Sequence, residues 1–406
     1  MAETITREPL TVTVFIDVLS SLRSWDTLNV LGRESQYYNA LADKGLRINF
    51  ITYGGRDEQE YAAAMPGARI LSNWLGLPMR TYQRRVFQVH ALPLLRSQII
   101  RTHNTHAMLA ALRAHWAWRI PLVFRMKYFW TTSAAANPQA SESYLQEALA
   151  HEREVFAKAS HIITATADQA AGVAERAPEA AAKTSIIGTH VDCDLFRPLE
   201  SEKRFDLIYV GRLAQVKNLE ATLEAVERTG KTIAIVGGGG APDADDKSAE
   251  PQLETRLKER FGAANGRIHW LGTVANESLP AVINQAKALI LCSHSDGLPR
   301  SMLEAMACGA PVIGSKVGGI ASTLQHKVTG YLCGTDADSI AAAIDAVFAQ
   351  PRLLEGMGAK ARRYALENYS LAEISQREAD LLREVARRNP VESIAKRVAH
   401  YVFRRR

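Results

Sequence analysis

Two carboxylates eight positions apart, Asp296 and Glu304, stand in the run Cys292-Ser-His-Ser-Asp296-Gly-Leu-Pro299-Arg-Ser-Met-Leu-Glu304-Ala-Met-Ala-Cys-Gly309-Ala-Pro311. Ala288–Cys292 has the length and composition of a buried strand, and Ser301–Cys308 that of a short helix ended by Gly309 and Pro311. Asp296 is thereby predicted in the loop at a strand's carboxyl end, and Glu304 about one turn inside the following helix. In a parallel α/β sheet that edge is where ligands bind, because a helix amino-terminus offers unpaired N–H groups to an anion while a loop carboxylate accepts from sugar-like hydroxyls. The plainer alternative is that Asp296 caps the helix and Glu304 is solvated.

These acids need a sheet to position them, and the chain supplies the pattern for two. Short apolar runs alternate with amphipathic segments in the βαβ rhythm of doubly wound parallel sheets. The predicted strands of the first half are Val12–Val18, Leu46–Thr52, Ile99–Thr102, Pro121–Arg125, His161–Thr164 and Thr184–Ile187. Those of the second are Asp206–Val210, Thr232–Val236, Ile268–Leu271, Ala288–Cys292 and Pro311–Gly314, and a helical pattern from Pro351 to Arg388 follows. At 406 residues the chain exceeds what one hydrophobic core supports, so two domains are expected. With 47% hydrophobic and 23% charged residues it is globular rather than disordered or fibrous. No apolar run is long enough to span a bilayer and no secretory leader pattern opens the sequence, which predicts a cytoplasmic protein or a peripheral one on the cytoplasmic face of a membrane. Cys193, Cys292, Cys308 and Cys333 lack metal-ligand spacing and read as reduced core thiols.

The motif Asp-Gly-Leu-Pro-(four)-Glu-Ala-Met-Ala-(x)-Gly-(x)-Pro-Val, followed by Gly318-Gly319-Ile320 and Val328-Thr-Gly330-Tyr-Leu, resembles the donor site of the retaining GT-B glycosyltransferases of glycosyltransferase family 4, the glycosyl transferases group 1. Upstream, Tyr209-Val-Gly211-Arg212-Leu-(three)-Lys217-Asn218 is similar to that family's strand-end segment, and Ile235-Val-Gly237-Gly238-Gly239 and Trp270-Leu-Gly272 to its next two strand ends. The resemblance implies a GT-B fold: two Rossmann-like doubly wound domains facing across a cleft, with the last helix crossing back to the first. It divides the chain into an acceptor-side domain, 1–190 plus 372–406, and a nucleotide-sugar domain, 191–371. Asp296 departs from the glutamate usual at its position and is one methylene shorter.

Breaking a glycosyl-phosphate bond leaves negative charge on the departing diphosphate, which fixed cations and N–H dipoles stabilise. The resemblance gives that task to Arg212 and Lys217, with Gly211 in the same turn and the amides of Gly318, Gly319 and Ile320 close to the diphosphate, where absent side chains permit approach. It places Glu304 on the ribose hydroxyls, and Asp296 on a donor-sugar hydroxyl with help from the N–H groups of Gly297 and Leu298. On the amino-terminal side His103 is expected to face the reacting sugar. Gly32, in Leu31-Gly32-Arg33-Glu34, stands where the family carries a Gly-Gly phosphate loop. Arg125 and Lys127, at the carboxyl end of another predicted strand, are candidates for an acceptor phosphate or for the donor. No cofactor is implied, the nucleotide-diphosphate sugar being a co-substrate, and no metal. Asp243-Ala-Asp245-Asp246 looks like a metal-binding Asp-x-Asp but follows a glycine-rich loop and reads as a solvated surface segment. The implied activity is retaining transfer to a glycan, lipid-linked or other hydroxyl acceptor, in cell-envelope polysaccharide or glycolipid biosynthesis. The alternatives are another GT-B enzyme, such as a nucleotide-sugar epimerase, and a non-catalytic GT-B scaffold.

Charge adds an independent observation. From Tyr61 through Ser141 there is no Asp or Glu, while Arg69, Arg80, Arg84, Arg85, Arg96, Arg101, Arg113, Arg119, Arg125 and Lys127 fall inside, interleaved with Trp74, Tyr82, Phe87, Trp116, Trp118 and Trp130. Met79–Val89 is predicted as a basic amphipathic helix, and Arg404-Arg405-Arg406 adds further charge. Such a face suits an anionic membrane surface or a phosphate-bearing acceptor. No recognised binding motif accompanies the charge, so nucleic acid is not an expected partner.

Overall fold

A computed structural model of the chain describes residues 9–18, 20–28, 30–135, 140–238, 251–262 and 266–403. Gly239, the Asp243–Asp246 segment and Arg404-Arg405-Arg406 lie outside the described residues. Seven strands form one parallel sheet: β1 (Leu10–Phe15), β2 (Leu46–Ile51), β3 (Ala68–Leu71), β4 (Ile99–Thr102), β5 (Leu122–Arg125), β6 (His161–Thr164) and β7 (Thr184–Ile186), in the order β3-β2-β1-β4-β5-β6-β7. Six form a second: β8 (Phe205–Val210), β9 (Ile233–Val236), β10 (Ile268–Gly272), β11 (Ala286–Leu291), β12 (Val312–Ser315) and β13 (Gly330–Cys333), in the order β10-β9-β8-β11-β12-β13. All pairings are parallel, and strand order reverses once in each sheet, between β1 and β4 and between β8 and β11. Both arrangements are the doubly wound α/β type, and together they make the GT-B fold.

Most central strands are buried on both faces, which is why near-continuous Val, Ile, Leu and Ala runs build them. Several ends differ from the sequence expectation by a residue or two. The first strand stops at Phe15 rather than Val18, because Ser20 N–H turns back to the Asp17 carbonyl at 3.0 Å and removes the segment from the ladder. β11 starts at Ala286, which pairs with Phe205, instead of Ala288. Two edge strands, β3 and β13, were not predicted; Arg69 interrupts the first, Gly330 opens the second, and each is only partly buried.

The chain forms two compact units, residues 1–165, 169–187 and 375–406 in one, and 166–168 with 188–374 in the other. The carboxyl-terminal segment is thus built into the first unit, and a buried ion cluster holds it there. Glu378, fully buried in the helix Leu371–Arg388, accepts from Arg101 Nε and Arg125 Nη1, both at 2.5 Å, and from the Tyr37 hydroxyl. The two guanidiniums hold the Glu378 carboxyl down at about 2, against the opposing effect of burial.

Candidate active site

The second unit carries the residues expected at a donor site, and the switch between β8 and β11 positions them. Gly211 ends β8, its N–H bonded to the Val236 carbonyl at 3.0 Å, and the buried Tyr209 hydroxyl donates to the Arg212 carbonyl at 2.7 Å, fixing the turn that carries Arg212. Gln215–Lys217 forms one 3₁₀ turn, after which Asn218 adopts a left-handed φ of 54°. The Asn218 amide donates to the carbonyls of Cys292, at 3.0 Å, and Thr335, at 2.7 Å, so one side chain ties the loops after β8, β11 and β13 together. His294 N–H adds a backbone bond to Val216 at 2.8 Å. Sequence reasoning quoted Asn218 but gave it no role; the available signal was an Asn before a helix, a residue type that tolerates left-handed backbone.

These ties bring Lys217 Nζ within 2.5 Å of Asp296 Oδ2, with side chains only 17% and 12% exposed. The two residues assigned separately to phosphate and sugar are therefore one ion pair in the free protein. Asp296 caps nothing: the helix Arg300–Ala307 begins at Pro299 without a side-chain cap. Glu304 sits on its second turn and is 6% exposed, so it is not a solvated surface acid. Its charge, together with burial, pushes the neighbouring Cys308 thiol up to about 12. All four cysteines are free, buried thiols.

The Gly318-Gly319 pair has a different reason from the one expected. Gly318 has φ +41°, and a Cβ there would run into the Asp296 carbonyl; one on Gly319 would run into the Gly297 carbonyl. Gly319 N–H already donates to the Asp296 carbonyl at 2.9 Å. The missing side chains thus let the loop 296–298 lie on the helix Gly318–Thr323, and Gly319's amide is committed to holding Asp296. Ile320 is buried beneath this contact, while Leu298 packs partly buried against the core.

In the first unit, His103 lies at the carboxyl end of β4 and is 6% exposed. Lys127 Nζ is 3.0 Å from its Nε2 and the Tyr38 hydroxyl 2.6 Å from its Nδ1. An ammonium only donates, so Nε2 is the acceptor and Nδ1 carries the proton. Burial and the Lys127 charge hold the imidazole well below its ordinary value, leaving it neutral. Asp17, just past β1, accepts from Asn104 at 3.1 Å and contacts His106 Nδ1 at 3.2 Å, an edge cluster the sequence did not announce.

Three expectations are corrected here. Gly32 is in no loop: it falls in the first turn of the helix Leu31–Asp43, where a Cβ would meet no protein atom within 4 Å. Arg125 does not await an acceptor phosphate, since it is buried against Glu378. Arg101, counted with the basic face, is buried in the same cluster. The helix Met79–Val89 forms as predicted, with Tyr82 and Val86 buried and Arg80, Arg84 and Arg85 exposed beside Trp74, Leu75 and Met79. Among the described residues no helix is long and apolar enough to cross a membrane.

Residues 35–188 match the glycosyl transferase 4-like domain, and residues 193–364 match glycosyl transferases group 1. A curated relative, D-inositol 3-phosphate glycosyltransferase of Geodermatophilus obscurus, is 29% identical over 61% of this chain and 58% of its own length, so the match spans a little over half of that relative. Among solved structures, sucrose-phosphate synthase from Thermosynechococcus elongatus superposes with a TM-score of 0.73 at 20% identity, covering 93% of this chain and 99% of that one. Anabaena Alr3699/HepE, solved with UDP and glucose, gives 0.70 at 17% identity over 92% and 100%. With both halves matched in sequence and both sheets in topology, the chain belongs to the group 1, family 4-like glycosyltransferases of GT-B fold.

Proposed function

We propose that the protein transfers a sugar, with retention and without a metal, from a nucleotide-diphosphate sugar to a hydroxyl acceptor. The observation that carries this reading is the Lys217–Asp296 pair, fixed at the carboxyl edge of β8 and β11 with Arg212 on the same turn and Glu304 in the next helix. When a donor arrives, Lys217 and Arg212 take the diphosphate, Asp296 turns to a sugar hydroxyl and Glu304 holds the ribose. The amides left for the diphosphate are those of Gly318 and Ile320. The departing diphosphate, neutralised by these groups, takes the acceptor proton, and no general base is assigned. His103, neutral and held at both nitrogens, shapes the sugar side rather than shuttling protons.

The relatives that glycosylate inositol 3-phosphate favour a phosphate-bearing acceptor, and the UDP-bound neighbour favours a uridine donor. Screening uridine, guanosine and adenosine diphosphate sugars for binding and slow hydrolysis tests the reading; failure of all of them to bind at millimolar concentration sinks it. We further place the enzyme in the cytoplasm, peripheral on an anionic leaflet through Met79–Val89, in envelope glycan or glycolipid synthesis. Binding to anionic vesicles that falls with salt, and with neutralisation of Arg80, Arg84 and Arg85, is the expected result. Binding that ignores both changes refutes that placement.

A further inference from the structure

The amino edge of the first sheet holds a cavity that the transfer reaction does not use. It has a volume of about 910 Å³, and its walls come from the starts of β1, β2 and β3, the segment Pro93–Gln98 and residues 391–394 with Arg397 near the carboxyl terminus. Ligands of the transfer reaction are expected at the opposite edge, a strand length of roughly 13–20 Å away. Among the described residues four arginines line the cavity, Arg47, Arg69, Arg96 and Arg397, against one acid, Glu392. Among the described residues Arg47, Arg69 and Arg96 are exposed and have no ion-pair or hydrogen-bond partner.

Arg397 is the informative one. In the helix Ile394–Phe403 it is 2% exposed, and its Nη2 donates to the Leu95 carbonyl. Its Nε and Nη1 are buried with no hydrogen-bond partner. A buried guanidinium with two idle donors is costly, so such a group calls for a partner, and in a cavity lined by three further arginines an anion is the partner the surroundings favour. Guanidinium forks match phosphate oxygens in pairs, which sets this cluster apart from a site for a bare halide.

We propose that this cavity is a binding site for a phosphate-bearing anion, with Arg397 at its floor and Arg47, Arg69 and Arg96 at its mouth. The inference is independent of the donor-site reading. The same shared chemistry has two sources, a soluble phosphate compound or a phospholipid headgroup. Exposed Ile394 and Val398 on the Arg397 helix, and Leu92 beside the wall residue Pro93, give the second source its apolar contacts.

The test uses the full chain with inorganic phosphate, at constant ionic strength, and compares the wild type with Arg69→Gln/Arg96→Gln and with a control of equal charge loss at exposed positions of the second unit, Arg352→Gln/Arg363→Gln. Bound phosphate is counted by equilibrium dialysis and by the rise in unfolding midpoint. Affinity about tenfold or more weaker in the cavity variant, and unchanged in the control, supports the site. Phosphatidylglycerol vesicles, but not phosphatidylcholine vesicles, displacing that phosphate assigns the headgroup; phosphate bound with vesicles inert assigns the soluble source. Equal binding by all three proteins, or none by the wild type at tens of millimolar, overturns the proposal. Arg397→Met supplies a second reading: without phosphate its midpoint rises, because two buried donors without hydrogen-bond partners are gone, and the phosphate increment disappears. A lowered midpoint with the increment intact gives Arg397 a purely structural role and also overturns it.

Discussion

Replacing Asp296 with asparagine keeps the side chain's shape and removes the charge that occupies Lys217. Nζ and Oδ2 are 2.5 Å apart in a pocket where both side chains are more than four-fifths covered. Two unit charges about 3 Å apart at an effective permittivity near 20 attract by about 5 kcal/mol before desolvation. After desolvation, a hydrogen bond to a charged group is worth about 1.5–3 kcal/mol. A bare nucleoside diphosphate must displace Asp296 from Lys217 without offering Asp296 anything in return. Asp296→Asn removes that competition, so bare nucleotide binding is expected to stay level or to tighten by up to about tenfold, the equivalent of about 1.4 kcal/mol. The sugar-bearing donor loses a hydroxyl's bond to a carboxylate, so its affinity and kcat/KM are expected to fall by about ten- to a hundredfold. Titration calorimetry of the nucleotide and of the intact donor, beside initial rates, measures both. Parallel losses for the two ligands would refute the assigned exchange.

Glu304→Gln should weaken nucleotide and donor alike, by about tenfold, because both carry the ribose; calorimetry showing unchanged nucleotide affinity removes Glu304 from that role. Gly319→Ala drives a methyl into the Gly297 carbonyl and should cost about 2–4 kcal/mol in denaturant unfolding, with donor binding lost at temperatures where the fold survives. Glu378→Gln leaves Arg101 and Arg125 buried without their shared anion, a loss of about 3–5 kcal/mol. The same carboxyl sets an acid limit. Its folded value is depressed to about 2 from an ordinary 4.5, so its contribution, about 3 kcal/mol, is complete above pH 4.5 and lost as pH falls toward 2. Chemical denaturation of the wild type between pH 6 and 3 should show that slope, and Glu378→Gln should flatten it. With His103 neutral throughout, the rate profile should show no His103 inflection between about pH 5 and 8, and His103→Gln should leave its shape unchanged.

How much of this could be read from the chain depends on the range of the forces involved. Ile99–Thr102 and His161–Thr164 were legible to the residue because each holds a buried β-branched pair, Ile99-Ile100 and Ile162-Ile163, within the βαβ rhythm. Ala68–Leu71 and Gly330–Cys333 were not: Arg69 interrupts the first, and the second is opened by Gly330, a residue type that usually marks a turn but is needed here because a Cβ would meet the Val312 carbonyl. Asp296 and Glu304 announced themselves by type and position, yet the pairing of Asp296 with Lys217 follows only once β11 lies beside β8. Arg101 and Arg125 looked like surface charge because their acid lies 277 and 253 residues downstream. The overlooked signal is that each closes an apolar strand run, Ile99-Ile-Arg101 and Leu122-Val-Phe-Arg125, where a cation is expensive unless paired. The glycines at 318 and 319 were expected to give a diphosphate room, whereas what they accommodate in the structure is the protein's own loop.

The partnering of cations differs between the two edges of the chain's sheets, and that difference bears on selectivity. At the carboxyl edges Lys217 is held by Asp296, Lys127 by His103, and Arg125 by Glu378. An anion arriving at Lys217 must therefore replace an existing bond, which penalises free phosphate and favours a ligand that satisfies the displaced Asp296 with a hydroxyl. Only a molecule carrying phosphate and sugar together recovers both halves of the exchange, so discrimination comes from the partner left unpaired by the wrong ligand. At the amino edge Arg397 keeps two buried donors idle and its neighbouring arginines are unpaired among the described residues, so an anion there breaks no hydrogen bond of a described arginine at those atoms. A site built by exchange selects a particular donor, whereas one built by vacancy takes any phosphate of suitable size; the contrast predicts strict ligand discrimination at Asp296 and tolerance at Arg397 within the same chain.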